Sequence, residues 1–290
     1  MFQGSIVALV TPFDNNQVDE SALRRLVRYH IEHGTNAIVP VGTTGESATL
    51  SQIEHEKVVE LVVEEAAGAL PVIAGAGSNN PTEAIHFTHH AERVGADAAL
   101  HVAGYYNRPN QEGLYQHFAM LDSETNLPVL AYNVPRRTIV DIEPETMARI
   151  AQLGSVIGVK DASCDLSRPI REGALITKPF CFLSGEDNTA VAYNAQGGQG
   201  CIAVTANVAP ALCAEMQAAC LAGDCKTALA IQTRLMPLRE AFFREPSPAG
   251  AKYACSLLGL ISEQCRVPIV PLTDDTKQEL RAAMLSLELI

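Results

Sequence analysis

Short, continuous apolar runs recur along the chain, and longer stretches with helical spacing of apolar residues separate them. Eight of the runs have the length and uniform hydrophobicity of strands that are buried on both faces. In chain order these runs are residues 5–10, 37–41, 71–75, 97–102, 128–132, 155–160, 180–184 and 200–204. Strands of this kind are typical of a parallel sheet that helices cover on its outer side.

The intervening stretches carry the signals of helices. Leu23, Leu26 and Val27 share one helix face, Ser51 caps a second helix, and a third begins near Pro81 and ends at Gly95. Eight strand–helix repeats in about 225 residues predict an α/β fold, a (β/α)₈ TIM barrel. A doubly wound sheet ranks second, because VTPFDNN after the first run lacks the phosphate-binding GxGxxG pattern.

The strand signal is lost from about residue 224, where three further helical segments follow. We therefore predict a catalytic barrel over residues 1–223. The C-terminal helical domain, residues 224–290, is predicted to pack on the barrel as an appendage.

Charge and composition narrow the classes of partner. The 290 residues are 47% apolar, and 21 basic against 33 acidic side chains give a net charge of −12. Such a surface repels phosphate backbones and anionic lipids, so we expect neither nucleic acid nor membrane as a partner. The N-terminus lacks the basic region of a signal peptide, and the eight cysteines form no CxxC pair. We read these cysteines as reduced, buried thiols and expect a cytoplasmic protein.

Polar side chains concentrate where the predicted strands end, which is the end at which such barrels carry their active sites. The segments concerned are GTTGES (42–47), GYYNRP (104–109), YNVPRRT (132–138), KDAS (160–163), SGED (184–187) and TANVAP (205–210). The convergence of these ends predicts an active site better than any single residue does.

Lys160 ends the sixth strand and has two interpretations. It extends to solvent or pairs with Asp161, or the fold holds it inside the barrel mouth. Burial would favour the neutral amine, which is a nucleophile toward carbonyl carbon and forms a Schiff base. Tyr132, at the end of the neighbouring strand, supplies a phenol that can move the protons that imine formation requires.

Other strand ends indicate how a small acid is bound. The GTTGES turn can hold a carboxylate through hydroxyls and backbone N–H groups, or it is a helix entry capped by Ser47 or Ser51. Arg136 or Arg137 can clamp a carboxylate, while the other arginine is expected to be solvated. Because GGQG lies at the opposite rim, we expect an unphosphorylated substrate and no pyridoxal phosphate. The histidine pairs lie on outer helices without an HExxH pattern, so we expect no metal site.

The motifs GTTGES, GYYNRP, YNVPRRT, GVKDAS and GGQGCIAVTANVAP, in this order and spacing, resemble the dihydrodipicolinate synthase family across the whole chain. The resemblance implies a pyruvate-dependent barrel enzyme, usually a homotetramer built as a dimer of dimers. It would condense pyruvate with L-aspartate-4-semialdehyde to 4-hydroxy-tetrahydrodipicolinate in lysine and diaminopimelate biosynthesis. It would use no cofactor other than the covalent imine with pyruvate.

The resemblance also implies roles for particular residues. Lys160 would form the imine, and Tyr132 would act as acid and base. Thr43 would link Tyr132 to Tyr106, which a neighbouring subunit would supply. The substrate-binding residues would be Thr44 for the pyruvate carboxylate, Arg137 for the semialdehyde carboxylate, and Gly185 and Ile202 near the lysine.

Two other functions remain open for this scaffold. One is a different pyruvate-dependent lyase, such as N-acetylneuraminate lyase or a sugar-acid aldolase, which lacks an arginine clamp at Arg137. The other is a non-catalytic paralogue that binds pyruvate as a sensor. The set of Lys160, Tyr132 and Thr43 argues against a sensor, which has no need of a proton relay.

Two features depart from the family pattern. Ala103-Gly104 stands where Thr-Pro often precedes the tyrosine pair, which would loosen the turn that aims Tyr106. Gln52 replaces a histidine of the site at which L-lysine inhibits family members. The other residues of that allosteric lysine site would be Ser47, Ala48, His55, Asn79, Glu83 and Tyr105. We expect inhibition by lysine, weakened by the change at Gln52.

Overall fold

A ring of parallel strands dominates the computed structural model, which describes residues 1–102 and 104–290. The strands are β1 (Gly4–Ala8), β2 (Phe13–Asp14), β3 (Gln17–Val18), β4 (Ala37–Val39), β5 (Ile73–Gly75), β6 (Ala98–Val102), β7 (Val129–Asn133), β8 (Val156–Asp161), β9 (Cys181–Ser184) and β10 (Gly200–Ala203). The helices are α1 (Glu20–Glu32), α2 (Gln52–Ala66), α3 (Pro81–Val94), α4 (Gln111–Glu124), α5 (Pro135–Thr138), α6 (Pro144–Ala151), α7 (Arg168–Leu175), α8 (Ala190–Ala195), α9 (Pro210–Leu221), α10 (Cys225–Phe242), α11 (Ser247–Leu257) and α12 (Asp274–Ser286).

The eight predicted strands form one parallel sheet in the order β4-β1-β10-β9-β8-β7-β6-β5. Its two edges meet where Ile38 bridges to Val72, so the sheet closes on itself. Helices α1, α2, α3, α4, α6, α7, α8 and α9 lie between or after successive strands. The predicted (β/α)₈ barrel with its C-terminal helices is confirmed, and the doubly wound sheet that ranked second is excluded.

The continuous apolar runs reflect burial of both faces of each strand. Ile6, Ile73, Leu130, Leu183 and Ile202 belong to one cluster that fills the barrel interior. Two further clusters lie between strands and helices on the outer side, and helix α1 contributes its predicted apolar face to one of them. The predicted cap at Ser51 closes a reciprocal capping box with Glu54 at the start of α2.

Helices α10, α11 and α12 follow the last strand and are the three helical segments that the sequence predicts. Leu235, Ala254 and Leu280 from these helices share a hydrophobic cluster with Val10 and Leu23 of the barrel. The C-terminal helices are therefore fixed against one side of the barrel, near the loop after β1. None of the helices in residues 1–102 and 104–290 combines the length and apolar character needed to cross a bilayer.

Candidate active site

Lys160 lies near the end of strand β8, and its side chain is 7% exposed. Its register partner on strand β7 is Tyr132, whose ring centroid is 4.3 Å from the Lys160 Nζ. Lys160 forms no ion pair within the part of the chain that the structure describes. Of the two interpretations of this lysine, the structure supports the one in which the barrel mouth holds it.

Asp161 does not serve as the partner of Lys160, because successive strand residues point to opposite faces. Its carboxylate accepts hydrogen bonds from the backbone N–H of Ser163, at 3.2 Å, and from the Ser163 hydroxyl, at 2.9 Å. Burial raises the pKa of the Asp161 carboxyl to about 6. Asn133, the residue after Tyr132, contacts the same carboxylate at 3.5 Å and donates to Asp141 at 2.7 Å. These contacts fix the ends of β7 and β8 from the outer side.

A cleft of about 250 Å³ opens above Lys160 at the carboxyl ends of the strands. It brings together seven of the eight residues predicted for catalysis and substrate binding, which are Lys160, Tyr132, Thr43, Thr44, Arg137, Gly185 and Ile202. A smaller recess of about 50 Å³ continues below it along Tyr132 and Lys160. The cleft has the size for a small organic acid.

The two threonines lie on a tight turn after strand β4. The Gly45 N–H donates to the Gly42 carbonyl and the Glu46 N–H to the Thr43 carbonyl, both at 3.1 Å. Thr44 is 5% exposed, whereas Thr43 is exposed to the cleft. The helix-entry interpretation also holds, since the cap residue Ser51 lies beyond the threonines.

Glu46 fixes the far end of this turn through a cluster of buried and partly buried charged side chains around one aromatic ring, here called the anchor cluster: Glu46, Lys252, Arg266, Glu54 and Phe13. Glu46 has a left-handed backbone (φ 56°), and its fully buried carboxylate pairs with the equally buried ammonium of Lys252. The Arg266 backbone N–H donates to Glu46 at 3.0 Å, and its guanidinium donates to the Thr49 carbonyl at 2.9 Å. Lys252 and Arg266 contact the Phe13 ring at 3.9 and 4.3 Å. The C-terminal helices thus reach under the threonine turn.

Both arginines of YNVPRRT line the cleft, and that one of them is merely solvated stays a prediction. They lie on the short helix α5, which begins at Pro135, and both are exposed to the open space. Arg137 also borders the neighbouring cavity described below, whereas Arg136 does not. Arg137 therefore lies where the cleft and the neighbouring cavity adjoin.

Gly185 is required by its close approach to the lysine. A Cβ added at this position would lie 3.1 Å from Lys160 Cε and 2.9 Å from Ala162 Cβ. The Gly185 N–H donates to the Asp161 carbonyl at 2.6 Å, which holds the loop against strand β8. Any larger residue would displace the Lys160 side chain.

The residues that line the cleft without a role assigned from the sequence include Glu186, Arg239, Phe243 and Ser247. Glu186 lies in the SGED segment, whose position at a strand end was a usable signal. The other three lie in or beside helices α10 and α11, where the local pattern shows only amphipathic helices. Their proximity to Lys160 is a long-range contact that no local signal contains.

A second cavity, of about 760 Å³, lies beside the threonine turn. Five of the six residues predicted for the allosteric lysine site line it, which are Ser47, Ala48, His55, Glu83 and Tyr105. Asn79 donates a hydrogen bond to the Tyr105 carbonyl at 3.2 Å, and Gln52 also lines the cavity. Burial lowers the pKa of His55 to about 4, so its imidazole is neutral at pH 7.

Tyr106 lies outside the cleft of its own chain. Its side chain is 92% exposed, and its backbone is left-handed (φ 69°). The geometry is compatible with donation to another subunit, and the role of Tyr106 stays a prediction. The sequence predicts that Ala103-Gly104 loosens the turn before Tyr106, but Ala103 lies outside the described residues. Among residues 1–102 and 104–290, no cluster of three or more metal-ligating side chains occurs.

Comparisons with known proteins show what the chain as a whole is similar to. A sequence model of the dihydrodipicolinate synthetase family matches residues 1–287. Two proteins named 4-hydroxy-tetrahydrodipicolinate synthase are similar to this chain. The one from Acidiphilium cryptum is 55% identical and covers 100% of both chains, and the one from Cereibacter sphaeroides is 57% identical over 98% of each.

Solved structures agree at the level of the fold. A dihydrodipicolinate synthase from Acinetobacter baumannii complexed with pyruvate is 41% identical, with a TM-score of 0.97 over 100% of both chains. The enzyme from Cyanidioschyzon merolae with lysine bound is 34% identical, with a TM-score of 0.96 over 100% of this chain and 99% of that one. A variant described as the first monomeric dihydrodipicolinate synthase is 39% identical, with a TM-score of 0.97 over 100% and 98%.

Proposed function

The chain belongs to the dihydrodipicolinate synthetase family, and we propose that it condenses pyruvate with L-aspartate-4-semialdehyde through an imine at Lys160. The product is 4-hydroxy-tetrahydrodipicolinate, an intermediate of lysine and diaminopimelate biosynthesis, and the chain is an enzyme of the lyase class. The observation that carries this proposal is the cleft in which a buried lysine, a tyrosine, two threonines and an arginine meet.

In the proposed first half-reaction, Lys160 attacks the keto carbon of pyruvate and water is lost. Tyr132, in contact with the lysine, moves the protons of that step, and Thr43 links it to Tyr106 of a second subunit. Thr44 and the N–H groups of its turn hold the pyruvate carboxylate. The imine is the electron sink, so a methyl proton can leave without any further cofactor.

In the second half-reaction the resulting enamine carbon attacks the aldehyde of the semialdehyde, whose carboxylate Arg137 holds. The amine of this substrate then displaces Lys160 and closes the ring. Gly185 and Ile202 shape the pocket wall beside the imine. Apart from Tyr106 of the second subunit, the groups that these steps use line the cleft, and no step needs a metal ion.

Reduction with borohydride tests the chemistry directly. Pyruvate plus borohydride is expected to attach covalently to Lys160, which peptide mass spectrometry identifies. Turnover with aspartate semialdehyde but not with N-acetylmannosamine distinguishes the synthase from a sialic-acid lyase. A protein that binds pyruvate but is not modified by this treatment contradicts the proposal and favours a sensor.

Arg137→Ala is expected to lower kcat/KM for the semialdehyde on the order of a hundredfold, or about 2–4 kcal/mol, because a bidentate contact to its carboxylate is lost. Steady-state rates at saturating pyruvate measure the effect, and the KM for pyruvate is expected to change little. Arg136→Ala is the matched control on the same short helix. Full kcat/KM in Arg137→Ala would count against the clamp.

We infer that the larger cavity binds L-lysine as an inhibitor. The Glu83 carboxylate offers a partner for an ammonium group of the ligand, while the neutral His55 ring offers a hydrogen-bond acceptor. Thr43 and Arg137 border this cavity and the cleft, so a ligand in one touches residues of the other. This shared wall supports coupling between the two sites.

Millimolar L-lysine is expected to lower the condensation rate. Glu83→Gln is expected to raise the half-inhibiting concentration roughly tenfold or more, because one charge-assisted hydrogen bond is lost. Glu112→Gln, on the outer helix α4, is the control and should retain normal inhibition. A rate that millimolar lysine leaves unchanged in the wild-type enzyme removes this inference.

We propose that the active form is a homotetramer built from dimers, in which Tyr106 completes the neighbouring site. The exposed side chain of Tyr106 supports such an exchange. Sedimentation analysis tests it, since a fully active monomer would contradict the shared site. We further propose a cytoplasmic location, where the eight free thiols are stable.

A further inference from the structure

Behind the two strand ends that carry Tyr132 and Lys160 lies a second group of charged side chains. The next residues along these strands, Asn133 and Asp161, are register partners and point to the outer side of the barrel. Arg168, the first residue of helix α7, faces them, and its side chain is only 3% exposed. A guanidinium that is shielded from water needs protein acceptors for its N–H groups. Its partners therefore show which parts of the chain it holds.

Arg168 joins helix α7 to the segment that leaves strand β7. One guanidinium nitrogen, Nη1, donates to the Ile142 carbonyl at 2.6 Å and to Glu172 Oε1 at 3.0 Å. The other, Nη2, donates to both carboxylate oxygens of Asp141. A planar guanidinium can bond in several fixed directions at once, which an ammonium group cannot reproduce. Arg168 therefore fixes residues 141 and 142 from the outer side of the barrel.

Asn133 connects these partners of Arg168 to the strand ends. Its side-chain N–H donates to Asp141 at 2.7 Å, and its side-chain oxygen accepts from the Ile142 N–H at 3.0 Å. The backbone carbonyl of Asn133 accepts from the Ala162 N–H at 2.8 Å, so the end of β7 is tied to the segment that follows β8. A chain of hydrogen bonds thus runs from Arg168 through Asn133 to the ends of both strands.

Stability alone does not explain these side chains, here called the Arg168 network: Arg168, Asp141, Asn133, Glu172 and Asp161. One guanidinium faces three carboxylates, two of which are buried. Burial raises the pKa of Glu172 to about 7 and that of Asp161 to about 6, although Arg168 lowers both. Glu172 Oε2 has no hydrogen-bond partner in the described part of the chain. Replacing buried charges by apolar side chains of similar volume often costs no stability, so the network is better explained by what it holds in place.

We propose that Arg168 is a positioning residue, which holds the ends of strands β7 and β8 so that Tyr132 stays in contact with Lys160. This inference rests on the proposed function. Arg168 is not among the described residues that line the cleft or the recess below it, so it acts through the strand ends. A displacement of about 1 Å between reacting groups can lower a rate about a hundredfold. Loss of Arg168 should therefore slow imine formation.

The proposed binding site for the pyruvate carboxylate is held by a different part of the chain. The turn with Thr44 follows strand β4 and is fixed by the anchor cluster, which shares no residue with the Arg168 network. A positioning role therefore predicts a split between two kinetic quantities. The maximal rate of imine formation falls, whereas the pyruvate concentration that gives half of this rate changes little.

Mixing enzyme with pyruvate and adding borohydride at set times measures imine formation at Lys160. Arg168→Met is expected to lower the maximal rate roughly 10- to 100-fold, with the half-saturating pyruvate concentration within about threefold of the wild-type value. Arg168→Lys is expected to lie between Arg168→Met and the wild type, because it keeps the charge and loses the planar donor group. Arg171→Met is the matched control on the same helix, since the Arg171 side chain is 53% exposed and pairs with Asp165 at 3.5 Å. It should retain the wild-type rate.

All rates are measured at a temperature at which each variant is folded, so that a lower stability alone does not change them. Should Arg168→Met fail to fold, Arg168→Lys and Asp141→Asn provide the comparison, and each is expected to lower the maximal rate several-fold. A wild-type maximal rate in the folded Arg168 variants overturns the proposal, because Arg168 then only stabilises the fold. An equal loss in Arg171→Met also overturns it. A wild-type enzyme that forms no adduct with pyruvate would instead refute the proposed function itself.

Discussion

Lys160→Met is expected to lower kcat for the condensation by roughly 10⁴-fold or more, because the reaction loses its nucleophile and its electron sink together. Without the imine, the negative charge that forms when the pyruvate methyl group loses a proton has no cationic nitrogen to receive it. Methionine is similar in length and apolar, so it suits a position that is 7% exposed and packed against Tyr132. We expect the fold to survive and the chemistry to be lost.

Coupled rate assays and borohydride trapping measure the two consequences of Lys160→Met. Lys178→Met is the matched control, because Lys178 precedes strand β9 at the opposite rim, where its ammonium donates to the Leu153 carbonyl at 2.7 Å. The control is expected to retain kcat and the pyruvate adduct. An adduct that persists in Lys160→Met would show that another amine forms the imine and would contradict the mechanism.

The barrel could be predicted because each of its strands is buried on both faces. The continuous apolar runs predicted all eight strands, and each predicted end lies within two residues of the observed end, as for Cys181–Ser184 and Gly200–Ala203. The hairpin of β2 with β3 and the short helix α5 were missed. Strands β2 and β3 have two residues each and helix α5 has four, which is too few to show any periodicity.

The part of the site that lies at the strand ends could be predicted as well. Parallel strands of a barrel end at the same rim, so the sequence placed Lys160, Tyr132 and the threonine turn together before any contact was known. The contacts that the C-terminal helices make with the site could not be predicted in the same way. Arg239 meets Glu186 across 53 residues, and Lys252 meets Glu46 across about two hundred. Such pairs depend on how the C-terminal helices pack, which no local pattern encodes.

Through the anchor cluster, the C-terminal helices support the threonine turn of the site. The variant Lys252→Met tests this support. Removing the ammonium leaves the Glu46 carboxylate buried without its cation, which costs about 3–5 kcal/mol of unfolding free energy. Methionine fills the space of the lysine stem beside Phe13, so the loss measures mainly the unpaired charge. Because Glu46 ends the threonine turn, the KM for pyruvate should rise in the fraction that folds.

Two further variants distinguish the loss of the buried charge from a general disruption of helix α11. The midpoint of chemical denaturation is measured for each. Lys277→Met removes a lysine of the same C-terminal region that also lies over an aromatic ring, Tyr253, but pairs with Glu263 at the surface. It should cost less than about 1 kcal/mol. The double variant Glu46→Gln, Lys252→Met removes both charges and is expected to recover more than half of the loss, since the amide oxygen of the new glutamine can still accept from the Arg266 N–H. If the double variant is no more stable than Lys252→Met, the lost lysine acted through packing, and the turn does not depend on a buried ion pair.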